Sequence, residues 1–206
     1  MYHHHVDGIT AFVLAGGKST RMGADKAFLD FDGRTLLDHA LDRAREVSAR
    51  VCIVGDPRKF GNYGETLQDR YPNCGPLGGI QAALASTATE LNLVLGVDLP
   101  FIEVAFLKHL LSRARATRAT VTVPRAGRDL QPLCAVYAKD FAAVASASLQ
   151  SGQNKIDPLF TTVQTYTLSE EELTREGFSA HMFCNLNTPQ DLEQARSWQR
   201  FSRSDR

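Results

Sequence analysis

The sequence predicts an α/β fold, a Rossmann-like three-layer sandwich in which helices cover both faces of a mostly parallel β-sheet. Two observations support this class. Short apolar runs alternate along the chain with longer segments of helical periodicity, which is the order that repeated βαβ units produce. Three of these runs, at 9–14, 50–54 and 91–97, are almost continuously apolar, as expected for strands that are buried on both faces.

Local signals place the elements in the first half of the chain. Asp32-Gly33 is typical of a tight turn. Thr35 begins a helix, with Asp38 three residues later, which is approximately a capping box. The segment 75–79 opens another helix, which is expected to run to about Ala85.

The second half continues the alternation. Residues 103–116 are predicted as a helix, Asp140 as the cap of a helix over 142–149, and Ser169 as the start of a capping box that reaches Glu172. Further strands are predicted at 120–123, 133–137, 161–168 and 182–186, a turn at 124–128, and a final helix that starts at 188–191 with proline in its first turn.

Length and composition indicate one globular domain over residues 9–198, preceded by an arm or tag remnant at 1–8 and followed by a tail at 199–206. The formal net charge is zero, which argues against nucleic acid or an anionic membrane as a partner. No apolar run reaches the length of a membrane-spanning helix, and the start lacks the apolar centre of a signal peptide. The expectation is a cytoplasmic protein, a monomer or weak homo-oligomer.

The four cysteines, at positions 52, 74, 134 and 184, form no Cys-x-x-Cys pair. Three of them lie in or beside apolar runs and are expected to be small buried hydrophobes, so a metal cluster is not favoured. The three histidines at 3–5 are either an expression remnant or a native arm, and are excluded from the site.

The glycine-rich segment after the first strand resembles the end of a P-loop but has the wrong spacing. If Gly17 is the second glycine of G-x-x-x-x-G-K-[ST], the first belongs at position 12, which is Phe12 within the apolar strand. The dinucleotide fingerprint also fails, because Gly16 and Gly17 are adjacent.

What remains is a glycine pair followed by the cations Lys18, Arg21 and Lys26. Paired glycines allow close backbone approach, and turn N–H groups form an anion-binding concavity. The segment therefore favours a phosphate site, although a tight turn with solvated basic residues stays open as the alternative.

Asp98 follows the apolar run at 91–97, as the glycine pair follows the first strand. Carboxyl ends of parallel strands meet at one edge of the sheet, where ligands bind. A cationic loop facing a carboxylate suits a nucleoside triphosphate with Mg²⁺, which often takes one or two carboxylates plus substrate phosphates. The alternative is that Asp98 only bonds its own backbone before Pro100.

The segment 14–26, LAGGKSTRMGADK, resembles the N-terminal signature of the nucleotidyltransferases that act on the molybdenum cofactor. The resemblance spans about residues 9–197 and is closest to the molybdenum cofactor guanylyltransferase family. An Asn-x-Asn-Thr-Pro ending and a Gln-Pro-Leu segment favour that family over its cytidylyltransferase branch. The later matching segments are Gly75-Pro76-Leu77-Gly78-Gly79, Val97-Asp98-Leu99-Pro100, Gln131-Pro132-Leu133 and Asn185-Leu186-Asn187-Thr188-Pro189.

The resemblance implies a nucleotide-diphospho-sugar transferase-like fold and transfer of GMP from GTP to molybdopterin, with release of pyrophosphate. It implies Arg21, Lys26 and Asp98 as catalytic residues, and Asp98 as the ligand of Mg²⁺. The implied nucleotide-binding residues are Leu14, Ala15, Gly16, Gly17, Lys26, Asp69, Gly75, Pro76, Leu77 and Asp98, and the implied acceptor-binding residues are Gln131, Asn185 and Asn187. The family often has asparagine after its second strand, where this chain has Gly55.

The chemistry is consistent with the residues present. A phosphate monoester is already anionic at neutral pH, so the acceptor needs no general base. Asparagines beside a Thr-Pro helix start also have an ordinary role in satisfying backbone groups, and this stays open for the acceptor set. Two rival functions remain: another nucleotidyltransferase of the same fold, such as a cytidylyltransferase or a sugar-phosphate nucleotidylyltransferase, and a non-catalytic nucleotide-binding module. Molybdenum insertion proteins, recipient molybdoenzymes and their chaperones are partners by resemblance only.

Overall fold

The computed structural model describes residues 8–16, 25–186, 188, 190, 191 and 193–195. The strands in this part of the chain are β1 (Ile9–Leu14), β2 (Asp30–Phe31), β3 (Arg34–Thr35), β4 (Arg50–Val54), β5 (Thr66–Leu67), β6 (Leu91–Gly96), β7 (Val121–Ala126), β8 (Asp129–Leu130), β9 (Cys134–Ala138) and β10 (Thr165–Leu168). The α-helices are α1 (Leu36–Arg45), α2 (Pro57–Phe60), α3 (Pro76–Ser86), α4 (Val104–Thr117), α5 (Phe141–Gln150) and α6 (Glu170–Arg175). Short 3₁₀ helices cover Lys26–Phe28, Asp157–Thr161 and Ala180–Phe183.

The main sheet has the order β10-β7-β9-β6-β1-β4-β5, and β8 pairs with β7 at its end. Strand β9 runs antiparallel to both its neighbours, and the other pairs along this path are parallel. The prediction of a mostly parallel sheet is therefore confirmed. Leu14 is in register with Val54 on one side and Gly96 on the other, so β1, β4 and β6 end at the same edge.

Helices cover both faces of this sheet, which confirms the three-layer arrangement. Alternate residues of β1 face two separate hydrophobic cores. Ile9, Ala11 and Val13 face the core that includes α1 and α4, whereas Phe12 and Leu14 face the core that includes α3 and α5. Burial on both faces explains why the first strand is apolar at nearly every position.

The predicted start of α1 is confirmed in detail. The Thr35 hydroxyl accepts a hydrogen bond from Asp38 N, and Thr35 N donates to the Asp38 carboxylate, which completes a capping box. The hydroxyl of Thr35 also donates to this carboxylate and is the main reason why the pKa of Asp38 is lowered. Asp32 and Gly33 both have positive φ, as required by the tight turn between β2 and β3.

Several predicted boundaries in the second half are wrong. The strand expected over 161–168 begins only at Thr165, because the chain first forms the 3₁₀ helix Asp157–Thr161. The strand expected over 182–186 is absent from the described residues, where Ala180–Phe183 is a 3₁₀ helix. Met182 and Phe183 are both buried, and a short apolar run of this kind does not distinguish a strand from a buried helical turn.

Smaller corrections concern turns and caps. The turn expected at 124–128 is shorter, because 124–126 continue β7, in which Arg125 and Ala126 pair with β8. Asp140 lies at the N-cap of α5 without a side-chain cap hydrogen bond. Ser169 does cap α6, but the Glu172 carboxylate contacts the Tyr166 hydroxyl, an interaction across elements that the local pattern does not encode. The final helix is borne out at the described residues 190, 191 and 193–195, with Thr188 and Asp191 exchanging capping hydrogen bonds.

Within the described residues, no helix is both long enough and apolar enough to cross a membrane.

Candidate active site

The turn after β1 is fastened to the neighbouring strand. Ala15 N and Gly16 N both donate to the carbonyl oxygen of Val54, at 3.0 and 3.1 Å. Gly16 is exposed at this edge of the sheet. The backbone of the glycine segment therefore leaves the sheet at the carboxyl end of β1, as predicted. Gly17 and Arg21, two further predicted site residues, lie outside the described residues.

Lys26 and Asp98 meet at this edge. Lys26 Nζ lies 2.9 Å from Asp98 Oδ2, and each side chain is only 16% exposed. Lys26 begins the 3₁₀ helix that follows the glycine segment, and Asp98 lies just beyond the end of β6. The structure thus brings together the cation and the carboxylate on which the sequence-based hypothesis depends.

Asp25 orients Lys26 from the preceding position. Its carboxylate accepts a hydrogen bond from Ala27 N at 3.3 Å, which caps the short 3₁₀ helix. The other oxygen pairs with Lys59 Nζ of α2 at 2.8 Å. Asp25 lies within the motif at 14–26 and had no predicted role, although an aspartate directly before a helical turn is a recognisable N-cap.

The second oxygen of Asp98 has an unusual environment. Oδ1 is buried and has no hydrogen-bond partner among the described residues. It lies over Gly96, where an added Cβ would come within 2.6 Å of it. Buried carboxylate oxygens normally have a partner. A buried carboxylate oxygen without a hydrogen-bond partner is consistent with a carboxylate whose contacts are completed by a bound cation.

The described residues contain no cluster of three or more His, Cys, Asp or Glu side chains placed to hold a metal ion. Mg²⁺ does not require such a cluster, because it retains several waters and takes one or two carboxylates together with substrate phosphates. The chemistry of Asp98 therefore fits Mg²⁺ as part of a shared site, completed by a substrate.

Asp69 lies against the first turn of α3. Its Oδ1 accepts a hydrogen bond from Tyr71 N at 2.7 Å. A Cβ added at Gly78 would lie 2.7 Å from Asp69 Oδ2, so only glycine allows this approach. Burial raises the pKa of Asp69, and the hydrogen bond from Tyr71 partly opposes that shift. The carboxylate is thus held as an acceptor beside a helix N-terminus.

The start of α3 has an exposed glycine as its N-cap. Gly75 occupies the N-cap with φ 65° and ψ −158°, a conformation open essentially to glycine alone, and it makes no side-chain cap hydrogen bond. Pro76 occupies the first turn, and the side chain of Leu77 is fully buried. Leu77 is buried as a whole residue, so a ligand at this turn would first meet the exposed Gly75 and Pro76.

Gly55 follows β4, at the position where the family often has asparagine. Steric crowding explains why this chain has glycine there. A Cβ at this position would lie 2.6 Å from two ring atoms of Phe60, whose side chain is buried. The Gly55 N–H donates to the carbonyl of Leu67 at 2.9 Å. In this chain the aromatic ring of α2 packs where an asparagine side chain would begin.

The predicted acceptor segments flank the Asp98 turn. Leu186 N donates to Asp98 O at 3.0 Å, so Asn185, which is exposed, lies one residue from a direct contact. On the other side, Gly96 N donates to the carbonyl of Leu133 at 2.7 Å, which places the Gln131 segment beside the end of β6. Asn187 lies outside the described residues.

The chain is similar to known proteins along most of its length. Residues 11–163 match the family model described as the MobA-like NTP transferase domain. The chain belongs to the MobA-like NTP transferase family. A relative from Pelotomaculum thermopropionicum, named probable molybdenum cofactor guanylyltransferase, is 35% identical over 199 residues and covers 96% of each chain. A molybdenum cofactor guanylyltransferase from Desulfosudis oleivorans is 32% identical and covers 92% of this chain and 95% of its own.

Solved structures agree with this MobA-like fold. Molybdopterin-guanine dinucleotide biosynthesis protein A from Archaeoglobus fulgidus has a TM-score of 0.81 at 24% identity, covering 92% of this chain and 97% of its own. A 2-C-methyl-D-erythritol 4-phosphate cytidylyltransferase from Thermus thermophilus has a TM-score of 0.68 at 17% identity, with 92% and 98% covered. The predicted nucleotide-diphospho-sugar transferase-like fold and the resemblance to the guanylyltransferase family are confirmed. The individual residue roles stay predictions.

Proposed function

We propose that this protein transfers GMP from GTP to the phosphate of molybdopterin, forming the molybdopterin guanine dinucleotide cofactor and releasing pyrophosphate. The observation that carries the proposal is the meeting of Lys26 and Asp98 at the edge where the glycine segment leaves β1. The names of the relatives at 35% and 32% identity support the same activity.

The reaction is an in-line displacement at the α-phosphorus of GTP. An oxygen of the molybdopterin phosphate forms a new bond to this phosphorus. The bond from the α-phosphorus to the oxygen that bridges to the β-phosphorus breaks, and pyrophosphate leaves with that electron pair. Because the nucleophile is already an anion, the protein must neutralise and align charge rather than remove a proton.

In the proposed reaction, Lys26 supplies positive charge to the phosphate groups of GTP. In the ligand-free arrangement Lys26 and Asp98 neutralise each other at 2.9 Å, which limits the cost of holding two charges at 16% exposure. A triphosphate competes for the ammonium group and frees Asp98 Oδ2. Asp98 would then hold Mg²⁺, which when bound supplies further neutralisation of the phosphate oxygens.

The remaining residues bind and orient the substrates. The exposed backbone at Gly16 and at Gly75, the N-cap of α3, allows close approach of the nucleotide, and the N-terminal end of α3 favours an anion. Asp69 would accept hydrogen bonds from the nucleoside, and its hydrogen bond from Tyr71 N together with the room left by Gly78 supports this role. Gln131 and Asn185 lie on either side of the Asp98 turn, where the acceptor phosphate must approach.

The test is pyrophosphate release from each of the four nucleoside triphosphates with Mg²⁺, with and without molybdopterin, followed by mass analysis of the product. The proposal expects release from GTP only, only with acceptor, and a product with the mass of the guanine dinucleotide. Preference for CTP overturns the guanylyl assignment. If the protein binds GTP but releases no pyrophosphate in any of these assays, the result supports a non-catalytic nucleotide-binding module. The Asp98→Ala variant provides the matched blank.

A further inference from the structure

Arg43 of α1 binds the segment that follows Asp98. Arg43 Nε donates to the carbonyl of Ile102 at 2.6 Å, and Nη2 donates to the carbonyl of Pro100. Nη1 donates to the carbonyl of His39, one turn earlier in the same helix, at 2.9 Å. All three of these acceptors are backbone carbonyl groups, so the planar guanidinium group joins α1 to the turn beyond β6.

The environment of Arg43 is unusual for a cation. Burial lowers the pKa of its guanidinium group, with nearby Asp42 partly opposing the shift. Arginine nevertheless stays protonated in proteins. The carboxylate of Asp42 itself is engaged by Arg34 at 2.5 Å and Arg45 at 3.7 Å. A charged group that is withdrawn from water onto carbonyl dipoles indicates a specific structural task.

The segment that Arg43 binds is short and irregular. Leu99 and Ile102 are buried, and Ile102 N donates to Leu99 O over 3.4 Å. On the opposite side, Leu186 N holds the carbonyl of Asp98 itself at 3.0 Å. The backbone around Asp98 is therefore fixed from two directions, by the chain near Asn185 and by Arg43.

We propose that Arg43 is a positioning residue that holds the turn 98–102 so that the Asp98 carboxylate faces the substrate phosphates and their cation. The inference rests on the proposed function in that it takes Asp98 as the carboxylate of the site. Arg43 itself touches neither substrate nor reacting atoms. Its effect passes through the backbone carbonyls of Pro100 and Ile102, and a displacement of about 1 Å at a reacting group can cost about 10²-fold in rate.

The test compares Arg43→Met, which keeps a long apolar side chain but no donors, with Arg43→Lys, which keeps the charge but not the planar fork. Arg45→Met is the matched control, because Arg45 lies on the same helix and its side chain is 53% exposed. Mn²⁺ binding in the presence of GTP is measured by electron paramagnetic resonance, and GTP binding is measured separately in EDTA. Turnover is followed by pyrophosphate release.

Arg43→Met should weaken Mn²⁺ binding about tenfold and lower kcat by about 10²-fold, as expected for a misplaced reacting group. GTP affinity in EDTA should stay within about threefold, since the hydrogen bonds of Arg43 go to the carbonyls of residues 39, 100 and 102 and not to the glycine segment or α3. Arg43→Lys should recover part of the Mn²⁺ affinity, and Arg45→Met should match the parent protein. A purely structural role would not separate metal binding from metal-free nucleotide binding in this way.

Wild-type Mn²⁺ affinity and kcat in folded Arg43→Met would overturn the inference, as would an equal loss of GTP affinity in EDTA. If Arg43→Met does not fold, Arg43→Lys decides, and wild-type Mn²⁺ binding in that variant overturns the inference. The Mn²⁺ measurement needs no turnover. A protein that binds Mn²⁺ with GTP in an Arg43-dependent manner, but releases no pyrophosphate with molybdopterin, would refute the proposed function and retain the role of Arg43.

Discussion

The ammonium group of Lys26 lies 2.9 Å from the carboxylate of Asp98, although 72 positions separate the two residues in the chain. The parallel pairing of β1 with β6 causes this proximity, because both strands end at one edge of the sheet and deliver their next residues there. The pair is the part of the candidate site that the fold fixes most directly. Removing either charge is therefore expected to affect turnover.

Asp98→Ala and Lys26→Ala should each lower kcat by about 10²–10³-fold, which is the usual cost of removing one well-placed charge contact in a transition state. Both variants should fold, because each side chain retains 16% exposure to solvent, which can hydrate the remaining charge. Pyrophosphate release with GTP and molybdopterin measures the rate, and circular dichroism checks the fold.

Arg50→Ala is the control for these two variants. Arg50 pairs with Glu65 at 3.1 Å, but both side chains are at least half exposed and Arg50 begins β4, at the opposite end of that strand from the site. Exposed pairs of this kind contribute little. Turnover should be unchanged in this variant, and near-normal turnover in Asp98→Ala or Lys26→Ala would remove that residue from the mechanism.

Asp69→Asn should weaken GTP binding about tenfold or more, as expected when a hydrogen bond to a charged acceptor is lost. The same variant should be at least as stable as the parent at pH 7, because the folded protein holds the Asp69 carboxylate where burial disfavours its ionised form. Titration calorimetry measures the affinity, and urea unfolding gives the free energy of unfolding.

The difference in free energy of unfolding between the parent and Asp69→Asn should change with pH in a defined direction. Burial raises the folded-state pKa of Asp69 above its ordinary value of 3.8, so the folded state binds this proton more tightly than the unfolded state. The stability that Asp69 contributes is complete below the ordinary pKa and is lost as the pH rises through the raised folded value. The parent should therefore gain stability relative to Asp69→Asn as the pH falls through this window. A difference that is flat with pH, or a variant that is less stable at pH 7, contradicts the assignment.

The sequence predicted the elements that are long and apolar on both faces, and with them the meeting of Lys26 and Asp98. The elements follow from local hydrophobic patterns. The meeting of Lys26 and Asp98 needs, in addition, only the rule that the carboxyl ends of parallel strands lie at the same edge of a sheet. The strand predicted over 161–168 was right only from Thr165 onward, and the one predicted over 182–186 was wrong, because the buried Met182 and Phe183 lie in a 3₁₀ helix. Burial drives both outcomes, and a short apolar pattern does not state which one applies.

The residues that hold Asp98 in place carried no signal that could be recognised in the sequence. Arg43 reaches carbonyl groups that are 57 and 59 positions away, and Leu186 acts through its backbone N–H. Every residue type carries the same backbone carbonyl group. A hydrogen bond to such a group therefore leaves no recognisable pattern of residue types in the sequence. Asp25 and Lys59 pair across 34 positions for the same tertiary reason.

Gly55→Ala should destabilise the protein by about 1–3 kcal/mol, the usual cost of forcing an extra group into a packed core. The added Cβ would lie 2.6 Å from the Phe60 ring, which has 1% exposure and cannot move aside freely. The free energy of unfolding from urea titration measures this cost. Combining the change with Phe60→Leu should cost less than the sum of the two single changes, because the smaller side chain removes the clash. Additive costs would show that the ring does not enforce glycine here.

Asn185→Ala should raise the KM for molybdopterin about tenfold and leave GTP affinity unchanged when no acceptor is present. The side chain is exposed beside Asp98, so its loss removes a polar contact for the incoming phosphate. The backbone hydrogen bond from Leu186 N to Asp98 O does not depend on the side chain at 185, so the Asp98 turn should keep its position. Pyrophosphate release measured against acceptor concentration gives KM, and calorimetry gives the GTP affinity. Asp69→Asn provides the opposite pattern, with GTP binding weakened and acceptor KM retained at saturating GTP. If Asn185→Ala weakened GTP binding, Asn185 would belong to the nucleotide site and not to the acceptor site. If neither constant changed, Asn185 would serve only to satisfy backbone groups at the start of the last helix.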